Sequence, residues 1–265
     1  MRTYRVGVIG CGQIAQIMHL PYLHDLPGWC IHSLCDISTE VVKKVAKKYN
    51  VDDSHCFTEI DGLLDDPELD VVLICVKDHC EPAVKAARAG KHVFVEKPFG
   101  FNLKQAKEMA NAAKQAGIKM MVGYMKRYDT GFAELKKHVQ RMRNINLVRF
   151  HDFGGSFAHT REVYDVLSGE DVAPDVLAEG KRACNAAMLE EIGKEREKLL
   201  PAYSLLLGVF CHDANLMRHL FGDNLEVLFV DVHEGFTNAI LKAGEVRIIV
   251  ESGLVMDRHI WDEYI

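Results

Sequence analysis

The 265-residue chain has no unbroken apolar run long enough to cross a bilayer as a helix. Its longest runs, at 71–76 and 205–211, fall far short of the ~18 residues a span requires. It lacks the basic excess that nucleic acid or an anionic membrane surface would select, carrying a formal net charge of −6, so neither partner is expected. No secretory leader pattern is present, because Arg2 and Arg5 precede a short strand-like run and then glycines. Eight cysteines occur, none in Cys-x-x-Cys spacing. Cys11 lies in a glycine loop, and Cys35 and Cys75 lie in strand-like runs where small buried thiols are common. The tightest grouping, Cys75, His79 and Cys80, straddles a strand end and a helix start, so no metal centre is expected and reduced thiols of a cytoplasmic protein are. Internal repeats and low-complexity stretches are also missing. What remains is a globular balance of 48% apolar and 26% charged residues, in a chain long enough for two domains.

The first half alternates short β-rich runs with helical patterns, the signature of a parallel sheet covered by helices. Strands are predicted at 5–9, 31–35, 71–76, 92–95 and 119–122. Helices are predicted from Gln13 until Pro21 interferes, over 39–48, over 81–89 before Gly90, and from an Asn102/Gln105 capping box to Gly117. Beyond Tyr124 the rhythm changes. A helix is expected at 132–143, a strand at 146–153, an irregular stretch from 156, and a strongly helical one over 173–200. The strand-like runs 226–232, 239–241 and 246–250 are separated by turn signals at Glu234-Gly235 and Ala243-Gly244, which predicts antiparallel hairpins. The fold class is therefore α/β, with a nucleotide domain at 1–124 and an α+β domain at 125–265 that carries an open, mostly antiparallel sheet.

Gly10-Cys11-Gly12-Gln13-Ile14-Ala15 fits G-x-G-x-x-G/A between a predicted strand and a predicted helix. Gly10 would make the tight turn, Gly12 would admit a pyrophosphate to the backbone, and Ala15 would allow close helix–strand packing. The helix start offers free N–H groups to the phosphates. Asp36, at the end of the second predicted strand, suits the ribose hydroxyls of NAD. It would repel the 2′-phosphate of NADP, and Ile37, Ser38 and Thr39 supply no arginine to accommodate one. The other reading of these residues is a glycine turn without a nucleotide, with Asp36 as a helix cap. Glu96-Lys97-Pro98 follows another predicted strand at the edge where ligands bind open α/β sheets. A lysine there, near apolar walls and a cationic ring, suits proton exchange with a substrate hydroxyl. The same pair also reads as a solvated ion pair.

The glycine loop, "AGKHVFVEKP" ending at Pro98, "GYMKRYD" at 123–129 and "HDANLMRHLFG" at 212–222 occur in that order. Together they resemble the glucose–fructose oxidoreductase / inositol dehydrogenase / MocA family over most of the chain, except 156–202. The resemblance implies a Rossmann domain joined to an open-sheet domain, and an oxidoreductase acting on a secondary alcohol of a sugar or cyclitol. It implies a catalytic Lys97 with a cis Lys97–Pro98 peptide, and a second catalytic group in His212. Val76, His79 and Glu96 would lie by the cofactor, beside the loop residues Gly10, Gly12, Gln13 and Ile14. Tyr124, Arg127 and His151 are candidates for the substrate cleft, equally readable as packed hinge or strand residues. On its residues alone, His212 reads as a helix-start histidine with Asp213 as N-cap.

Departures from the family pattern are Gly208 and Asn215, where relatives carry acids near this histidine, and Lys77-Asp78, where they carry Pro-Asn. A relay through an aspartate at 208 is thereby excluded. Two other functions stay open: transient oxidation by a bound NAD that drives epimerisation, elimination or glycoside cleavage, and a non-catalytic nucleotide-binding regulator. Relatives run well past 300 residues, so truncation after Ile265 is expected. So is a homo-oligomer through the second domain's sheet.

Overall fold

Short runs of Val, Ile, Leu and Cys place strands β1 (Tyr4–Ile9), β2 (Trp29–Cys35), β3 (Cys56–Phe57), β4 (Val71–Ile74), β5 (His92–Val95) and β6 (Met120–Val122) in one sheet. All neighbours run parallel, in the order β3-β2-β1-β4-β5-β6. Strands buried on both faces need apolar residues at successive positions. Along β1, Val6 and Val8 join one core cluster while Ile9 joins the other, and along β4 Leu73 joins the first while Val72 and Ile74 join the second. The computed structural model describes residues 2–155, 160–233, 235–255 and 262–265.

The flanking helices stop and start where their caps dictate. Ser38 Oγ accepts from Val41 N at 3.1 Å to open Thr39–Tyr49, and Asn102 accepts from Gln105 N at 2.8 Å to open Leu103–Ala116. Gln105 Oε1 in turn accepts from Phe101 N. Pro21 does not end its helix: wide π-type turns over Ala15–His19 run into Leu20–Asp25, where Pro21 occupies a first-turn position that needs no N–H donor.

The chain divides into two units, Met1–Gly123 with Thr160–Glu191, and Tyr124–His159 with Ile192–Ile265. The expected partition at 124/125 is corrected in this respect, because residues 160–191 return to the first unit. Gln16 Nε2 donates to Leu167 O at 2.9 Å and Gln16 Oε1 accepts from Leu167 N at 2.8 Å. Asn102 Nδ2 donates to Ala187 O, and Lys104 pairs with Glu190. The expected helix 173–200 is Pro174–Ile192, broken before Gly193 and followed by a tighter turn at Lys194–Leu199.

The second unit holds β7 (Leu147–Gly155), β8 (Glu226–Val232), β9 (Phe236–Ala243), β10 (Val246–Val255) and β11 (Asp262–Tyr264), in the order β11-β7-β10-β9-β8. Only β7 and β10 pair in parallel; β8–β9 and β9–β10 are antiparallel, as the turn signals predict. Glu234 of the first turn signal, Trp261, and residues 156–159 of the irregular stretch lie outside the described residues. One sheet face packs Phe150, Ala239, Leu241, Ile248 and Val250 on Leu216 and Met217 of the helix Cys211–Phe221 and on Phe132. The helical run Lys194–Phe221 is, by length and composition alone, apolar enough to cross a membrane, with an 18-residue window of mean hydropathy 1.2. Its Leu205, Val209, Leu216 and Met217 are nevertheless buried in this unit.

Candidate functional site

At the carboxyl edge of the first sheet, Gly10 N donates to Cys35 O and Cys75 N to Ile9 O, both at 2.8 Å. These bonds fix the loops after β1 and β4 side by side, at the point where strand order reverses. Gly10 has φ +90°, and a Cβ there would sit 2.8 Å from Val76 Cγ1 and 2.9 Å from Val76 N, so only glycine fits. A Cβ on Gly12 would meet nothing within 4 Å. Its absence leaves the backbone open to a diphosphate. Ala15 is fully buried, Ile14 is exposed, and Gln13 Oε1 accepts from Arg161 Nε at 3.1 Å.

Asp36 follows β2. Its Oδ2 accepts from Cys11 N at 2.7 Å and its Oδ1 from Ser38 N at 3.0 Å. Two backbone donors hold the carboxylate rigidly against the glycine loop, and each oxygen keeps a lone pair for a ribose hydroxyl. A second acid that the sequence did not reveal stands beside it. Asp171 Oδ1 accepts the Ser38 hydroxyl and its Oδ2 accepts from Glu40 N at 3.1 Å. These bonds, the Ser38 hydroxyl foremost, hold its carboxyl below the ordinary aspartate value. The start of helix Thr39–Tyr49 therefore already carries an anion.

Glu96 and Lys97 follow β5. Glu96 Oε1 lies 2.6 Å from His19 Nε2, and its Oε2 accepts from Lys97 N at 3.0 Å. Burial pushes the Glu96 carboxyl up, but His19 and the Lys97 N–H outweigh it and leave the pKa below the ordinary value. The Lys97–Pro98 peptide is cis. His79 is buried, and its Nδ1 lies 2.7 Å from Pro98 O. A carbonyl only accepts, so Nδ1 carries the hydrogen and Nε2 keeps its lone pair. Burial lowers the His79 pKa, which keeps the ring neutral near pH 7. Asp78, standing in the place of an asparagine, accepts from Cys80 N at 3.0 Å and so opens the helix Cys80–Arg88. Burial lifts the Cys80 thiol to about 11 and the Cys35 thiol to about 12, so both are protonated.

In the second unit, His212 is buried with its ring perpendicular to that of Tyr124, 6.3 Å between centroids. Asp213 is not an N-cap, which corrects the reading made from the residues alone. The helix runs on from wide turns at Leu206–Phe210, has no side-chain cap, and buries Asp213. Burial, and next the Asp152 charge, push the Asp213 carboxyl up to about 8. Lys126 lies 2.6 Å from Asp152 Oδ2, a buried pair, and 2.9 Å from Oε1 of the exposed Glu263, which completes a triad. Arg127 donates to Asn215 O at 3.2 Å.

His151, a candidate for the substrate cleft, lies on β7. Alternation along β7 puts Phe150 and Asp152 on the core face and His151 on the other. There it pairs with Glu251 at 2.9 Å and Asp262 at 3.3 Å and stacks on Tyr264. His19, Lys126, Asp152, Arg161 and Asp171 are the residues that sequence reasoning missed. Lys126 sat inside a motif already singled out; the others acquire partners only through the fold.

Residues 4–124 match the model of an oxidoreductase family with an NAD-binding Rossmann fold, named for glucose–fructose oxidoreductase, inositol dehydrogenase and MocA. The match covers the nucleotide domain of this chain. It is 25% identical over 248 residues to a myo-inositol 2-dehydrogenase of Thermotoga maritima, covering 93% of this chain and 63% of the relative. It is 30% identical over 149 residues to an inositol 2-dehydrogenase of Paracoccus denitrificans, covering 55% and 44%. The chain thus spans less than two thirds of these curated relatives. A scyllo-inositol dehydrogenase structure from Lactobacillus casei shares the fold at TM-score 0.74 and 17% identity, covering 99% of this chain and 72% of that one.

Proposed function

We propose that the protein is an NAD-dependent oxidoreductase acting on a secondary alcohol of a cyclitol or sugar-like ring. The observation that carries this reading is the cradle at the β1/β4 switch point, where Gly10 and Gly12 leave room for a diphosphate beside the fixed carboxylate of Asp36. Gly10, Gly12, Gln13 and Ile14 would hold the diphosphate, Asp36 the adenosine ribose, and Val76, His79 and Glu96 the nicotinamide side. When bound, NAD supplies a hydride acceptor. Two acids at the ribose end, Asp36 and Asp171, favour NAD over NADP, since a 2′-phosphate would meet like charge there.

Lys97 is the group proposed to exchange the hydroxyl proton. The Glu96 carboxylate holds its backbone N–H, and the neutral His79 ring holds the following carbonyl, so the lysine is anchored on both sides. His212 is the proposed second proton-handling group, with Tyr124 and Arg127 proposed for substrate contacts. The names of the dehydrogenase relatives support a cyclitol or sugar substrate.

A homo-oligomer through the second unit's sheet is also proposed. Edge strand β8 exposes the run Val227, Leu228, Phe229 and Val230, at 60%, 43%, 55% and 45%, and a run of that kind favours pairing. Eight free thiols fit a cytoplasmic setting.

The test is NADH formation on a panel of cyclitols and sugars, alongside calorimetric titration with NAD and NADP. The reading requires NAD binding and turnover of at least one polyol. No NAD binding would overturn it, and product without net NADH would replace it with transient oxidation.

A further inference from the structure

We propose that His32, His55 and Asp66 form a binding site for a single divalent transition-metal ion, zinc by preference. The three come from separate stretches, which is why residue spacing alone gave no metal pattern. His32 lies on β2, His55 ends the short turn Asp53–His55, and Asp66 follows the helix Ile60–Leu64. One donor atom from each lies within 4.8 Å of the others.

His32 Nε2 is 2.7 Å and His55 Nε2 4.0 Å from the same oxygen, Asp66 Oδ2. Donors around a tetrahedral zinc at ~2.0–2.1 Å stand about 3.3 Å apart. The observed pair of distances brackets that value, so a small opening at His32 and a small approach by His55 completes the set. Two imidazoles and a carboxylate are a nitrogen–oxygen donor set that suits zinc.

The local fold aims these groups at one another. β1 and β2 lose register between Val6, opposite Ile31, and Gly7, opposite Ser33, so His32 is an extra residue in its strand. Such a bulge re-aims a side chain. The two rings sit 4.4 Å apart, tilted by 55°. Both protonated, they would repel; both neutral, they share one carboxylate oxygen.

Asp66 is fixed from behind, with Oδ1 accepting from Glu68 N at 2.8 Å and its main-chain oxygen accepting from Lys91 Nζ. Its Oδ2 is thereby left facing the imidazoles. Coordination through Nε2 takes the neutral tautomer with hydrogen on Nδ1. For His55 that hydrogen finds Ser54 Oγ at 3.4 Å, an outer-shell partner of the kind metal-bound histidines use.

The side chains of His32 and Asp66 are 14% and 15% exposed and that of His55 is 35% exposed, so the site is recessed but open on the His55 side. Three protein ligands leave a fourth position for water. Bound there, the ion would join β2, the approach to β3 and the loop before β4, where β3 pairs with β2 over only two positions. Asp36, just past the end of β2, lies four residues beyond His32, about 13 Å away at strand rise, so this site is separate from the nucleotide cradle.

The experiment titrates the 265-residue chain with Zn²⁺ by calorimetry and with Co²⁺ by visible absorption, for wild type, His32→Gln, His55→Gln and Asp66→Asn. Circular dichroism checks that each variant is folded. The expected result is one ion per chain, a cobalt spectrum without a thiolate charge-transfer band, and affinity weakened roughly 100-fold or more in each variant. Zinc should raise the thermal midpoint of wild type only. No stoichiometric binding, a thiolate band, or unchanged affinity in the variants would overturn the proposal. Should His32→Gln fail to fold, His55→Gln decides, since its side chain is the most exposed of the three.

Discussion

The two units differ in how many buried polar atoms they leave without a hydrogen-bond partner: among the described residues the first leaves Ser33 Oγ and the second leaves several. In the first, Asp36, Glu96 and His79 each have a defined partner at the carboxyl edge of the sheet. In the second, Asp152 Oδ1, Asp213 Oδ2, Asn215 Oδ1, Thr237 Oγ1 and Arg127 Nε are buried without a hydrogen-bond partner among the described residues. A buried polar atom left unsatisfied costs on the order of 1–3 kcal/mol. The first unit is thus pre-organised for a ligand whose backbone contacts are generic. The sheets differ likewise: the first has apolar clusters on both faces, the second has one apolar face and an opposite face bearing Arg149, His151 and Glu251.

The sharpest way to break this comparison is Lys97→Ala. Turnover should fall by ~10²–10⁴-fold, the usual cost of losing a proton-transfer group, while calorimetric NAD affinity stays nearly unchanged. A parallel loss of NAD affinity would make Lys97 a cofactor anchor and the first unit less complete than argued.

Next comes Lys126→Met, which leaves Asp152 and Glu263 without their cation. Urea unfolding should show a loss of ~3–5 kcal/mol, as when one partner of a buried pair is removed. A loss under about 1 kcal/mol, typical of an exposed pair, would mean that the triad is solvated in solution.

Asp213 gives a signed pH dependence. Its folded pKa of about 8 stands above the ordinary 3.8. Its contribution is therefore fully present below the unfolded value and lost as pH rises through the folded one. Stability should decline between pH 4 and 8, by up to ~1.4 kcal/mol per pH unit from this group. Asp213→Asn should flatten that decline in chemical denaturation followed across pH. An unchanged slope would show that Asp213 is ionised in the fold.

The smallest effect expected is from Asp36→Ala. NAD should bind about 10-fold more weakly, roughly 1.4 kcal/mol, with a smaller change for NADP. Wild type binding NADP as tightly as NAD would remove the argument from Asp36 and Asp171.

How much of this could be read beforehand follows the same division. β1, β2, β4 and β5 were legible because strands buried on both faces read as apolar runs, and the Asn102 and Gly10 positions because their local geometry demands particular residues. β3 escaped because two residues make no pattern. In the second unit, β7 was legible as a strand but the direction of His151 was not, since choosing a face requires knowing where the core lies. The triad at Lys126 and the acid at Asp171 depend on partners 26 and 133 residues away. No local pattern announces those pairings.

The return of residues 160–191 to the first unit has a consequence for synthesis on the ribosome. Gln16, whose side chain braces the glycine loop by donating to Cys11 O, completes its bonding only with Leu167, 151 residues later. At ~5–20 residues per second, the loop would emerge and wait about 8–30 s for that brace. A nascent chain arrested soon after residue 124 would display the nucleotide sheet with its loop unbraced. One carrying residues to 191 would have every segment of the first unit in hand, and protease resistance of stalled chains at the two lengths would register the difference.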